Sequence, residues 1–226
     1  MHSPHTPTDI WLIRHGETEA NASGRLQGQT DTPLSARGRD QAAQLAARLA
    51  RLARHAPFAA LYTSDLQRAA QTAAIIGQAL GLEPHPDSRL REGDLGAWTG
   101  KTFEEVRRAF PEECAYIQRT NDPHHPRGGG ESYVQMQTRI VAAINEYAAR
   151  HPGERILVVS HGGVLRTYLA HVLHLPLEHA WRLHLGNTGI SRVVFKTRPS
   201  TAGMTPGMLM CLNDMAHLEP EEKEHV

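Results

Sequence analysis

Ile10–Gly16, IWLIRHG, and Ile156–Gly162, ILVVSHG, decide how this chain is read. Each is a run of bulky, largely β-branched residues closed by the pair His-Gly. An unbroken apolar run of about 4–8 residues is what a strand buried on both faces requires, and both runs are too short for a core helix. Open α/β sheets bind ligands beyond the carboxyl ends of their strands, so His15 and His161 are both expected at the ligand edge of one sheet. A lone strand-end histidine is ordinarily a hydrogen-bonded structural residue; the repetition favours function. Gly16 removes a side chain where a ligand would approach, and Arg14, Thr18 and Asn21 supply donors that suit a phosphate.

Working outward, apolar strands alternate with helical patterns, the signature of a mostly parallel sheet with helices on its faces. From Ser35, Ala42, Leu45, Ala46, Leu49 and Leu52 recur at helical spacing, and that helix is expected to end near Pro57. Leu61 and Tyr62 fit a short strand. Ser64 or Asp65 can cap a helix running through Ala69, Ala73 and Ile76 to a Gly81 stop. Val134–Arg150 is amphipathic, Arg155–Ser160 is the clearest buried strand, Val164–Leu173 is helical, and Ser191–Lys196 and Met208–Leu212 are closing strands. The segment 110–130 holds Pro111, Pro123, Pro126, two adjacent histidines and three glycines, and is expected to be an irregular lid or insertion. Residues 1–8 are expected to be a disordered leader, and the charged tail from Glu219 to be frayed.

The 226 residues are expected to form one domain, since domains usually hold about 150 residues. Lysine plus arginine balances aspartate plus glutamate, 24 − 24 = 0, so the overall field cannot recruit nucleic acid or anionic lipid, and anion affinity must come from a local cluster. No apolar stretch approaches the roughly 20 residues of a membrane span, and MHSPHTPTD is no secretory signal; the expected location is the cytoplasm. Cys114 and Cys211 lack CxxC spacing, which argues against a disulfide framework or a cysteine-rich zinc site.

RHGETEAN, Arg14 to Asn21, resembles the signature of the histidine phosphatase superfamily, which includes the cofactor-dependent phosphoglycerate mutases. The resemblance continues through RLQGQTDTPLSARG (25–38), YTSDLQRAAQTA (62–73), LREGDLGAWTGKT (90–102), GGES (129–132) and SHGGVLR (160–166). It implies a Rossmann-like three-layer α/β sandwich and a phosphohistidine intermediate on His15. It designates Glu92 as the carboxyl that protonates the leaving group and later activates water, with Asp94 and Glu17 as competitors. Thr99 stands where the family pattern carries Glu in a Trp-Glu-Gly triplet.

A phosphomonoester carries close to two negative charges, so a nucleophile meets repulsion unless fixed cations neutralise the phosphoryl oxygens. Arg14 and Arg68 can each present a planar fork of donors, and His161 a third cationic or hydrogen-bonding contact. His15, left as nucleophile, must carry a free ring nitrogen while its other N–H is held by a carbonyl or similar acceptor. Glu92 needs a raised pKa for the acid role. Asn21, Gln27, Thr18 and the Gly162 backbone N–H are expected to complete the phosphate pocket.

The favoured function is a metal-independent phosphatase acting on a small-molecule phosphomonoester, with no cofactor. The alternatives are a cofactor-dependent phosphoglycerate mutase and a non-catalytic scaffold. No nucleic-acid or membrane partner is expected, and a homodimer is the assembly allowed for. GAWTGKT falls one residue short of a Walker A loop. The fifteen histidines, with His171 and His174 three apart and His124 beside His125, lack the acidic partners of a metal phosphatase.

Overall fold

In the computed structural model, residues 7–195 and 207–218 are described. The expectations for residues 1–6 and for the tail from Glu219 lie outside them. A six-stranded sheet runs in the order β3-β2-β4-β1-β5-β6, from β1 (Thr8–Arg14), β2 (Ala60–Thr63), β3 (Pro84–Pro86), β4 (Arg155–Ser160), β5 (Ile190–Phe195) and β6 (Met208–Asp214). β3, β2, β4 and β1 pair in parallel; β5 is antiparallel to both β1 and β6.

The helices are α1 (Glu19–Ala22), α2 (Ala36–Ala53), α3 (Gln67–Leu80), α4 (Phe103–Ala109), α5 (Pro111–Thr120), α6 (Tyr133–Arg150) and α7 (Gly162–Val172). The strand period of two splits each apolar run between two cores. Ile10 and Leu12 of β1, with Ile156 and Val158 of β4, pack against Ile140, Ile144, Leu165 and Leu169 of α6 and α7. Trp11, Ile13, Leu157 and Val159 pack against Leu45, Leu49, Ala73 and Ile76 of α2 and α3. The outcome is a three-layer, Rossmann-like sandwich. No helix among the described residues is long and apolar enough to cross a membrane.

Four local expectations differ from the structure. Thr8, expected in the leader, is instead buried in β1, where its hydroxyl donates to the His151 carbonyl. The stretch 110–130 is not irregular throughout: Pro111 opens α5, since the first helical turn needs no N–H from it, and Asn121, at φ 49°, closes the helix. Neither Ser64 nor Asp65 caps α3; its N-cap is Leu66, and Ser64 is turned to His161 instead. β3 was not anticipated because of its two prolines, which an edge strand tolerates where a central one does not.

Candidate active site

The parallel pairing of β1 with β4 sets Arg14 beside Ser160, so the two His-Gly corners leave the sheet side by side. The His15 N–H donates to the Ser160 carbonyl at 3.0 Å, and the two imidazole rings lie 5.1 Å apart between centroids. His15 Nδ1 sits 2.6 Å from the Gly16 carbonyl oxygen, which can only accept. The ring proton is therefore on Nδ1 and the lone pair on Nε2. Burial pushes the His15 pKa well below its ordinary value, and the nearby Arg14 and Arg68 charges add to that, against a smaller opposing effect of the Gly16 bond. Gly16 itself is needed for packing, since a Cβ there would stand 2.5 Å from the Gly38 carbonyl oxygen.

Arg14 donates from Nη1 to the Leu185 carbonyl at 2.6 Å, while its buried Nε has no protein partner. Burial lowers this guanidinium to about 10, with Arg166 and Arg68 acting in the same direction and Glu92 opposing them, so it stays cationic at neutral pH. Arg68 is 1% exposed and differently committed from the expected phosphate fork. Its Nη2 and Nη1 donate to the Gly28 and Thr30 carbonyls, both at 2.7 Å, and its Nε to His161 Nδ1 at 3.2 Å. Arg68 thus carries charge to the pocket wall while fastening the 28–30 loop.

His161 does not serve as a cation here. Its Nδ1 accepts from Arg68, which fixes the proton on Nε2, 2.8 Å from Ser64 Oγ. Burial, then His15 and the neighbouring arginines, hold its pKa well below the ordinary value.

Glu92 approaches the N-terminus of α7 from a separate loop. Its Oε2 accepts from the Gly163 N–H at 2.9 Å, and its Oε1 from the Val164 N–H at 3.0 Å and the Gly93 N–H at 2.9 Å. Backbone donors at a helix end define this carboxyl's surroundings. Arg139 and Gln29 hold its own carbonyl, at 3.0 and 3.2 Å, and Arg139 is oriented by Glu131 of the GGES stretch. Glu92 is the carboxylate lining the pocket, whereas Asp94 and Glu17 are not in its wall.

Asn21, Gln27 and Gly162 line the pocket and Thr18 stands behind it. Thr18 is fully buried as the N-cap of α1, with its hydroxyl 2.9 Å from Gln27 Oε1 and 3.1 Å from Asn21 Oδ1. Thr18 therefore orients the two amides. Sequence reasoning passed over Arg166, whose buried Nε has no partner and which lines the same pocket, although it stands in the quoted SHGGVLR. It also passed over Asn187, which donates to the His15 carbonyl at 3.0 Å and carries no motif to mark it.

Arg14, Arg25, Arg68, Arg127 and Arg166 line this pocket of about 250 Å³ against the single carboxylate Glu92, so a chain of zero net charge has a local cationic cluster. Among the described residues, no three His, Cys, Asp or Glu side chains converge as a metal-ligand set.

Comparison with known proteins agrees with this architecture. The profile of the histidine phosphatase superfamily, branch 1, matches residues 10–202. A probable phosphoglycerate mutase GpmB of Proteus mirabilis is 39% identical over 213 residues, covering 92% of this chain and 94% of that protein. Among solved structures, a mycobacterial glucosyl-3-phosphoglycerate phosphatase complexed with VO3 superposes with a TM-score of 0.76 at 30% identity, covering 91% of this chain and 98% of that one. A phosphoserine phosphatase mutant from Entamoeba histolytica, in complex with phosphoserine, gives 0.80 at 28% identity, covering 94% and 100%. The chain belongs to the histidine phosphatase superfamily, branch 1.

Proposed function

We propose that this protein is a phosphatase that hydrolyses small-molecule phosphomonoesters through a phosphohistidine on His15, without a metal. The observation that carries the reading is the locked tautomer of His15. With Nδ1–H held by the Gly16 carbonyl, Nε2 keeps its lone pair in a pocket of arginines. Arg14 and Arg166, each with a buried unpartnered Nε, are the donors free to meet phosphoryl oxygens. Two unpaired cations this close repel, and a bound dianion relieves the repulsion.

In the first step Nε2 attacks phosphorus, the ester P–O bond breaks, and a proton carried by Glu92 passes to the departing oxygen. In the second, the Glu92 carboxylate takes a proton from water as the water oxygen attacks phosphorus; the N–P bond breaks and inorganic phosphate leaves. The N-terminus of α7 aims Glu92 at both steps.

The mutase reading has support in the name carried by relatives such as the Proteus mirabilis protein. A mutase handling a bisphosphorylated intermediate needs a second anion site. Of the remaining pocket arginines, Arg25 is paired with Glu105 at 2.9 Å and Arg127 lies over the Tyr133 ring at 4.0 Å, which favours hydrolysis of an ester with one phosphate. The test is phosphate release from a panel of phosphomonoesters in the presence of chelator, with 3-phosphoglycerate isomerisation followed with and without 2,3-bisphosphoglycerate. Expected is chelator-resistant hydrolysis with an acid-labile phosphoryl group on His15. Activity abolished by chelator and restored by a divalent ion overturns the reading, as does isomerisation outpacing hydrolysis.

A further inference from the structure

Trp98, Phe103, Arg127 and Tyr133 wall the catalytic pocket and at the same time wall a second cavity of about 300 Å³, bounded by α4, α5 and the 3₁₀ turn Leu177–Arg182. Little at the junction can bind a polar substituent. Arg127 is buried as a residue, at 6% exposed; its guanidinium covers the Tyr133 ring at 4.0 Å and donates to the His125 carbonyl at 2.7 Å. The Trp98 indole N–H is spent on Glu113 at 2.9 Å. Beyond the junction, Val106 and Ile117 add apolar wall. Two of its large aromatic side chains remain uncovered, Phe103 at 62% exposed and Trp181 at 58%. An exposed apolar surface continuous with a catalytic pocket marks where a ligand's apolar part is received. Of the charged side chains lining the second cavity, Arg107 and Glu178 are of opposite sign, and Arg127, shared with the catalytic pocket, is engaged by the Tyr133 ring and the His125 carbonyl.

Resting on the phosphatase reading above, we propose that this second cavity is the leaving-group subsite, and that it takes the apolar body of the ester. The preferred substrates are then phosphate monoesters of bulky arylalkyl or alkyl alcohols. A densely hydroxylated alcohol could meet Gln118 and Asn121 on one side but would strand its other hydroxyl groups against Val106, Ile117 and the aromatic rings.

The test compares 4-phenylbutyl phosphate with propyl phosphate, whose leaving alkoxides are chemically alike, so that the ring alone differs. Covering the ring should raise kcat/KM for the larger ester by at least about tenfold. Trp181→Ala, outside the catalytic pocket, should cut that advantage several-fold while leaving propyl phosphate unchanged. Because the Trp181 side chain is largely exposed, the variant does not threaten folding. Binding is read separately by calorimetry with the non-hydrolysable 4-phenylbutylphosphonate and propylphosphonate, where the same ratio is expected in Kd and the same loss in Trp181→Ala. Equal kcat/KM and equal Kd for the two chain lengths overturn the subsite and leave the hydrolase intact, as would a preference for glucose 6-phosphate over 4-phenylbutyl phosphate. No turnover of either ester, with the Kd difference present, overturns the hydrolase reading and supports the subsite.

Discussion

Gly163→Ala tests whether the position of Glu92, rather than its mere presence, carries the proton. Gly163 is in α7 and lacks a positive φ, so alanine fits its backbone. An alanine Cβ there would stand 2.5 Å from Glu92 Oε1, 3.1 Å from Cδ and 3.2 Å from Oε2. Restoring ordinary contact at 3.4 Å requires the carboxylate to withdraw by 3.4 − 2.5 = 0.9 Å. Its 2.9 and 3.0 Å bonds to the Gly163 and Val164 N–H groups would then stretch beyond hydrogen-bonding reach. Each charge-assisted bond contributes about 1.5–3 kcal/mol, but the freed groups face a pocket that water can enter, and helical alanine returns about 0.5–1 kcal/mol, so the net destabilisation should be roughly 2 kcal/mol. The kinetic effect should be selective. A misplacement of about 1 Å costs around 10²-fold, so kcat/KM for an alkyl phosphate, whose alkoxide cannot leave unprotonated, should fall by about that factor. An activated aryl phosphate such as p-nitrophenyl phosphate needs no such proton and should still phosphorylate His15, giving a nitrophenol burst before slow turnover. Stopped-flow kinetics on the two esters is the assay. Equal losses without a burst, or an unchanged alkyl rate, would refute the assignment. This variant is cleaner than Glu92→Gln, whose amide NH2 would be driven against the N–H donors of Gly93, Gly163 or Val164.

Arg68→Ala should destabilise the fold by about 1–3 kcal/mol, contrary to what a surface helix arginine would do, because it strands the buried Gly28 carbonyl and unfastens the more exposed Thr30 one; an unchanged urea midpoint refutes this. The imidazole ¹⁵N shifts at pH 6.5, the ordinary histidine pKa, should show neutral rings, Nδ1-protonated for His15 and Nε2-protonated for His161; a half-cationic ring at that pH refutes the tautomer argument. Since both folded pKa values lie below the ordinary 6.5, the unfolded chain takes up protons first, and stability should fall as pH drops below 6.5. Burial acts to raise Glu113, but the Gly128 N–H, His125 and Trp98 hold it below its ordinary 4.5, so these contacts of α5 should persist at neutral pH and be lost as pH falls below 4.5. The Trp98 indole proton resonance should report that loss, and Glu113→Gln should abolish its acid midpoint; the same midpoint in the variant refutes the link.

Much of this protein could be read from its chain because the deciding signals are local. Two apolar runs ending in His-Gly, the helical spacing from Ser35 and the left-handed stop at Gly81 need only period, volume and backbone freedom to interpret, and the structure has a strand or a helix at each. The residue types of the pocket were legible for the same reason. Their assignments were not, because hydrogen-bond partners come from distant segments. Arg68 binds carbonyls about 40 positions away in sequence, Ser64 turns to His161 rather than capping its own helix, and Glu92 is set by the N–H groups of a helix that begins at Gly162. Arg166 stood in SHGGVLR, but nothing in that stretch marks it as a donor left free, and its unpartnered Nε exists only in the folded chain, near Arg14. By itself the sequence determined a layered α/β fold with a phosphate-suited strand edge. Only the tertiary structure decided which donors are left free for a ligand, since a donor is free only when every competing acceptor in the folded chain has been placed.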